Sequence, residues 1–224
     1  MPPRTGVLVI APHPDDEAFG CGGTIRLLTT SGVPVDVLFM TRGERGTEEH
    51  EKHSPEKLQQ TALIRAAEAR ESCAALGVRA VDFLEGEDAN LHNQPHLAGE
   101  LLRRIVEGGY NRVFSPWPHD GHSDHKATFQ LLKRALIAYD QPIDVWLYEV
   151  WTPLRPSICI PIDTMIEAKI AAMEAHRSQL DCLGYKAAFL GLAAYRSLFC
   201  PTSKYAEAFM TGTREWATSL EGCA

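Results

Sequence analysis

Three things are missing from this sequence: a Cys-x-x-Cys pair, an apolar run approaching the roughly 18 residues of a membrane span, and any surplus of positive charge. The six cysteines, Cys21, Cys73, Cys159, Cys182, Cys200 and Cys223, are scattered. They read as reduced thiols of a cytoplasmic protein rather than a disulfide framework. The N-terminal region offers one arginine and a five-residue apolar run, too short for a signal-peptide core. Twenty-two basic residues stand against 29 acidic ones, a net charge of -7. That balance argues against nucleic acid or an anionic membrane as partner and leaves a neutral small molecule open. A Gly-x-Gly-x-x-Gly fingerprint is also absent. Gly20-Cys21-Gly22-Gly23 has the wrong spacing, and Asp15-Asp16-Glu17 would repel a pyrophosphate.

What is present is an α/β pattern. Val7-Leu8-Val9-Ile10 is a short β-branched run, the mark of a fully buried strand, and it stops at Pro12. A helix is expected over Thr24–Ser31, closed by Gly32. Further strands are expected at Val35–Met40, Val81–Leu84, Val113–Ser115 and Val145–Val150. Between them lie helices over Leu58–Leu76, from Pro95 to about Val106, and up to about Ala138. The alternation predicts an α/β fold, a mostly parallel sheet with helices on both faces, in one domain spanning residues 1–224. Residues 42–57 form a long charged loop. The C-terminal third is less regular, with a helix over Thr164–Gln179, another over Ala187–Leu198 and a late strand at Ala206–Thr211.

The chemistry concentrates after two strands. Pro12-His13-Pro14-Asp15-Asp16-Glu17 follows the first, and His119-Asp120-Gly121-His122-Ser123-Asp124-His125 follows the fourth. Ligands of open parallel sheets bind beyond the carboxyl ends of the strands, so both clusters lie where a site is expected. His13 and Asp16 can turn toward one point, and His125 can join them. Two histidines and one aspartate suit catalytic zinc, which keeps three protein ligands and a position for water. Asp15 is then a spare base. His122 is placed to donate to an oxygen that becomes negative, and Asp124 to orient His122. Ser123 is a good helix N-cap. His119 has no role that the pattern demands, and His50, His53, His92 and His96 read as loop histidines.

These motifs, with Thr41-Arg42-Gly43-Glu44, Arg65 and Glu68, His176-Arg177-Ser178-Gln179 and Ala206-Glu207-Ala208-Phe209, resemble the PIG-L/LmbE family of zinc-dependent N-acetylglucosamine deacetylases. The resemblance spans nearly the whole chain. It implies a Rossmann-like, LmbE-like fold with one Zn2+ per chain held by His13, Asp16 and His125, a position that Fe2+ or Co2+ can also fill. Asp15 would be the general base and His122 the general acid or oxyanion stabiliser. Arg65 and Asp88 match sugar-contacting positions. The implied substrate is an N-acetylated amino-sugar small molecule. Two departures stand out: Ser123 replaces a proline usual between His and Asp, and Asp120 stands where some members carry a tyrosine. Alternatives at this stage are another acylated amino-sugar conjugate as substrate, a surface ion pair of Arg65 with Glu68, a sugar-binding protein without catalysis, and a non-haem iron oxygenase, whose metal also takes two His and one carboxylate. Self-association into a homo-oligomer is left open.

Overall fold

The computed structural model describes residues 6–46, 54–180 and 184–220. His50, His53, Cys182 and Cys223, with most of the middle of the charged loop, lie outside the described residues. Strand β1 (Gly6–Ala11) is buried along its whole length, as is β2 (Val35–Thr41). With β3 (Ala80–Gly86), β4 (Tyr110–Pro116) and β5 (Asp144–Tyr148) they form a parallel set. Two more strands, β6 (Ile158–Pro161) and β7 (Ala206–Thr213), extend the sheet antiparallel, in the order β3-β2-β1-β4-β5-β7-β6. The chain runs outward in one direction from β1 to β3 and in the other from β4. The crevice of a doubly wound sheet therefore opens at the carboxyl ends of β1 and β4.

Helices cover both faces. On one side α1 (Asp16–Thr30), α2 (Pro55–Leu76) and α5 (Ile166–Ala175) pack with Val7, Val9, Val37, Phe39 and Phe114. On the other, α3 (Leu97–Gly108), α4 (Ser123–Ala138) and the C-terminal helix pack with Leu8, Ile10, Leu38, Val113 and Val145. Alternate residues of β1 thus feed opposite cores, as a strand covered on both faces requires. No helix among the described residues is long and apolar enough to cross a membrane.

The first helix begins at Asp16, eight residues before the expected Thr24, and is kinked at Cys21. Its glycines serve packing: a Cβ at Gly20 would run into the Tyr148 ring. The expected helix over Thr164–Gln179 is a 3-10 turn at Asp163–Met165, then α5, a break at His176, and α6 (Arg177–Leu180). After it come α7 (Tyr185–Arg196), the late strand and α8 (Arg214–Ser219).

Candidate active site

The turn after β1 brings His13, Asp15 and Asp16 to the crevice, and the turn after β4 brings Asp120, His122, Asp124 and His125. His13 Nδ1 and His125 Nε2 each lie 3.2 Å from the same atom, Asp16 Oδ2. The rings of His13, His122 and His125 approach within 4.8 to 5.5 Å of one another, centroid to centroid. Donor atoms of these three histidines fall within 4.8 Å of one another, as do those of His13, Asp88 and Asp124. Of these carboxylates, Asp16 faces two imidazoles. Asp88 and Asp124 meet only the far nitrogen of His13, Nε2, at 3.2 Å each, and both already accept backbone N–H groups.

His125 supplies a test of whether a cation fits. Both its ring nitrogens are buried without a well-aligned hydrogen bond, although Asp16 and Asp120 lie 3.2 and 3.3 Å away. A buried imidazole aimed at a carboxylate yet out of line for a hydrogen bond fits a ligand pair. The charge balance agrees. Although burial disfavours imidazolium, Asp16 and Asp120 raise His125 to about 9, and Asp124, Asp16 and Asp88 raise His13 well above its usual value. Carboxylates that draw protons onto imidazoles will also favour a dication in their place. His13, Asp16 and His125 are thus candidates to hold a divalent metal.

Asp15 and Asp16 are neighbours with opposite electrostatics. Burial opposes ionisation of both. At Asp16 the imidazoles of His125 and His13 overcome it and hold the carboxyl far below its usual range. At Asp15 burial prevails over the Arg65 guanidinium, and the pKa rises to about 6. Asp15 also has φ 135, a conformation that L residues rarely adopt. Glu17 holds this strained turn, its Oε2 accepting the Asp15 N–H at 3.0 Å. Its Oε1 is fixed in turn by Ser72 Oγ at 2.6 Å and faces His176 Nε2 at 3.0 Å.

Arg65, Glu68 and Ser72 share the buried face of α2, at helical spacing. Arg65 is not the surface partner of Glu68, which accepts from Ser178 N and Oγ instead. It is 3% exposed and donates to Gly43 O, Pro14 O and Asp15 Oδ2 at 2.9, 2.7 and 3.0 Å. Gly43 allows this approach: it has φ 64, and a Cβ there would meet the guanidinium. Asp88 is likewise committed internally, to His13 and to the N–H of Arg45. Neither of the two residues expected to contact sugar extends into open space.

Two expectations for the second turn need correction. The N-cap of α4 is His122, not Ser123; His122 Nδ1 accepts the Asp124 N–H at 3.2 Å. Ser123 is the first helical residue, where proline is also favoured, so the two are interchangeable for the backbone. The Asp124 carboxylate does not orient His122. It faces His13 and accepts from the N–H groups of Ala89 and Leu91. Asp120 was visible in the sequence only as a departure. It is fully buried and ties the turn together: Oδ1 takes the His122 N–H and faces His125 Nδ1, while Oδ2 takes the N–H of Trp151. Ser72 and the contacts of Glu17 and His176 were not foreseen; the signal was a Ser seven residues beyond Arg65 on one helix face. His119 adds no metal-ligand contact among the described residues.

A family model described as PIG-L, GlcNAc-PI de-N-acetylase, matches residues 8–136. The chain belongs to the PIG-L family. The match runs from β1 through α4 and so includes both turns. Among curated relatives, a diacetylchitobiose deacetylase of Thermococcus kodakarensis is 32% identical over 189 residues, which are 77% of this chain and 69% of that protein. A 1D-myo-inositol 2-acetamido-2-deoxy-alpha-D-glucopyranoside deacetylase of a Mycobacterium species is 28% identical over 228 residues, covering 78% of this chain and 74% of that one. Among solved structures, the N,N'-diacetylchitobiose deacetylase of Pyrococcus horikoshii superposes with a TM-score of 0.83 at 26% identity, over 95% of this PIG-L chain and 85% of its own. The family is one of metal-dependent N-deacetylases, and these relatives act on compounds containing N-acetylglucosamine.

Proposed function

We propose that this PIG-L chain is a zinc-dependent N-deacetylase that hydrolyses the acetamide of a small molecule containing N-acetylglucosamine, with His13, Asp16 and His125 as metal ligands. The observation that carries this reading is the pairing of two adjacent aspartates, one meeting two imidazoles and the other left as a buried base with a pKa near 6. A dication bound there would polarise the amide carbonyl and lower the pKa of a water from about 15.7 to about 7. Asp15 takes a proton from the attacking water as the new C–O bond forms, and passes it to the nitrogen as the C–N bond breaks. Water and amide thus become acetic acid and a free amine, present at pH 7 as acetate and ammonium. Burial keeps this carboxylate more basic than an exposed one, while the Arg65 guanidinium keeps it ionised at pH 7. Arg65 serves by fixing Asp15 rather than by holding sugar.

His122 donates a hydrogen bond. Its Nδ1 accepts a backbone N–H, so the neutral ring carries its proton on Nε2. Burial, reinforced by His13 and His125, lowers its pKa, which favours the neutral ring at pH 7. Nε2–H then serves the carbonyl oxygen as it gains charge, in place of an imidazolium acid. Asp124 and Asp88 hold the far nitrogen of His13 and so fix that ring. The unpaired, buried thiols of Cys21, Cys73 and Cys200 suit a reducing cytoplasm.

The test is acetate release by zinc-loaded protein from N-acetylglucosamine, diacetylchitobiose and N-acetylglucosaminyl conjugates of inositol and malate. One equivalent of acetate per free amine, lost to a chelator and restored by zinc, is expected for at least one of them. Intact substrate throughout, with metal bound, would overturn the reading.

A further inference from the structure

A second concavity adjoins the site on the side of α4. It is a groove of about 340 Å3, within the size range of small-molecule pockets. It begins at Gly121 and Ser123, the residues on either side of His122, and runs along α4. Its floor is apolar, made of the buried Leu91, Ala127 and Leu131. Its rim carries two cations: Lys126, Gln130 and Arg134 recur at every fourth residue and so share one face of α4, and His92 also lines the groove. No acidic side chain lines it. Among the described residues neither Lys126 nor Arg134 has an acidic partner, whereas Arg65, Arg103, Arg104 and Arg196 all have one. The groove is thus lined by two cations and by no acid, in a chain of net charge -7.

We propose that this groove receives the part of the substrate beyond the amino sugar, and that it selects an aglycone bearing an anionic group. This rests on the deacetylase reading above. His122 stands beside the reacting amide in that reading, so a glycoside seated there has its aglycone within reach of Gly121 and Ser123. The Ser123 hydroxyl offers a hydrogen bond at the mouth. Lys126 lies one turn further along, and Arg134 two turns beyond Lys126, about 12 Å along the axis. The apolar floor contacts the carbon skeleton; Lys126 meets a charge carried close to the glycosidic oxygen, and Arg134 one carried further along.

The experiment compares two glycosides of N-acetylglucosamine that differ only in charge, the methyl glycoside and the carboxymethyl glycoside. Acetate release gives kcat and KM for each, and calorimetry gives affinity with Asp15→Asn protein, which holds the site without turnover. We expect the carboxylate to be preferred at least tenfold in kcat/KM, through KM, with the preference shrinking as salt rises. The double variant K126A/R134A should bring the ratio close to one, with kcat for the methyl glycoside within twofold of wild type. K126R/R134K should keep most of the preference. Equal kcat/KM for the two glycosides in wild type would overturn the groove while leaving the deacetylase intact. So would a preference that survives K126A/R134A, since the charge would then be read elsewhere, for example by the metal. Tighter binding of the carboxymethyl glycoside, lost in K126A/R134A but with neither compound hydrolysed, would uphold the groove and count against the deacetylase reading.

Discussion

The two turns that build the site are held in different ways. The turn after β4 is nearly self-sufficient: His122 caps its own helix, and Asp120, two residues earlier, takes the His122 N–H, faces His125 and reaches across to Trp151. The turn after β1 depends on distant groups. Arg65 and Ser72 come from α2, and His176 from the break between α5 and α6, all converging on Asp15 or on the Glu17 that holds it. The strained Asp15, at φ 135, lies in the turn with remote support. A base with a pKa near 6 has to be kept dry, and covering it on several sides recruits side chains from the whole of one face. His125 of the second turn needs only orientation, which neighbours supply.

If that contrast is right, substitutions far from β1 should be the most damaging. Arg65→Met removes the cation from Asp15 and leaves the carbonyls of Gly43 and Pro14 unpaired. We expect a loss of about 3 kcal/mol in stability, at the low end for a broken buried pair, and a fall in kcat/KM at pH 7 of about 100-fold. The pH profile identifies the cause. The reaction needs Asp15 ionised, so kcat/KM rises as pH passes its pKa, about 6 beside Arg65 and lower again beside a dication. Arg65 favours the carboxylate, so its removal should move this acid limb to higher pH. A limb that stays in place would mean that Arg65 supports only the fold.

Glu17→Gln should cost less, about 2 kcal/mol for imperfectly paired buried groups, and about tenfold in kcat as the Asp15 backbone loosens, with metal content preserved. In the second turn, Asp120→Asn should leave kcat at saturating zinc within a few fold and weaken metal affinity about tenfold, the low end for a group that orients a ligand. Zinc titration against a competing chelator measures it. An activity loss in Asp120→Asn that zinc cannot restore would erase the contrast between the turns. The smallest effect is expected for Arg103→Ala on α3. Its pairs with Glu100 and Glu107 are exposed, and the melting temperature should not move measurably.

The parallel half of the molecule was legible because its strands announce themselves. Val7–Ile10 and Val37–Met40 are continuous apolar runs, and the polar clusters follow strands that adjoin in the sheet. The start of α1 was hidden because Gly20, Gly22 and Gly23 are poor helix formers; only the Tyr148 ring, from a strand over a hundred residues away, explains Gly20. β6 is four residues long and ends in proline, which is too little pattern to read. The residues that the crevice brings together were readable as a group, whereas their contacts were not. Spacing offered Glu68 as the alternative partner of Arg65 and placed Asp124 to serve His122. Both carboxylates turn instead to groups that other elements deliver, Glu68 to Ser178 and Asp124 to His13 and the loop after β3. Such choices are made by tertiary packing and leave no local signature.

The most direct measurement places the two adjacent aspartates side by side: zinc content and kcat of Asp15→Asn and Asp16→Asn, each with and without added zinc. Asparagine keeps the size of both side chains and removes one charge. Asp15→Asn should retain zinc near the wild-type level and lose about 100-fold or more in kcat, with no gain from extra metal. Asp16→Asn should purify with little zinc, because a neutral amide is a poorer ligand than a carboxylate, and should regain part of its activity when zinc is supplied. A zinc-rescued Asp15→Asn beside a fully loaded but inactive Asp16→Asn would contradict the assignment and exchange the two roles.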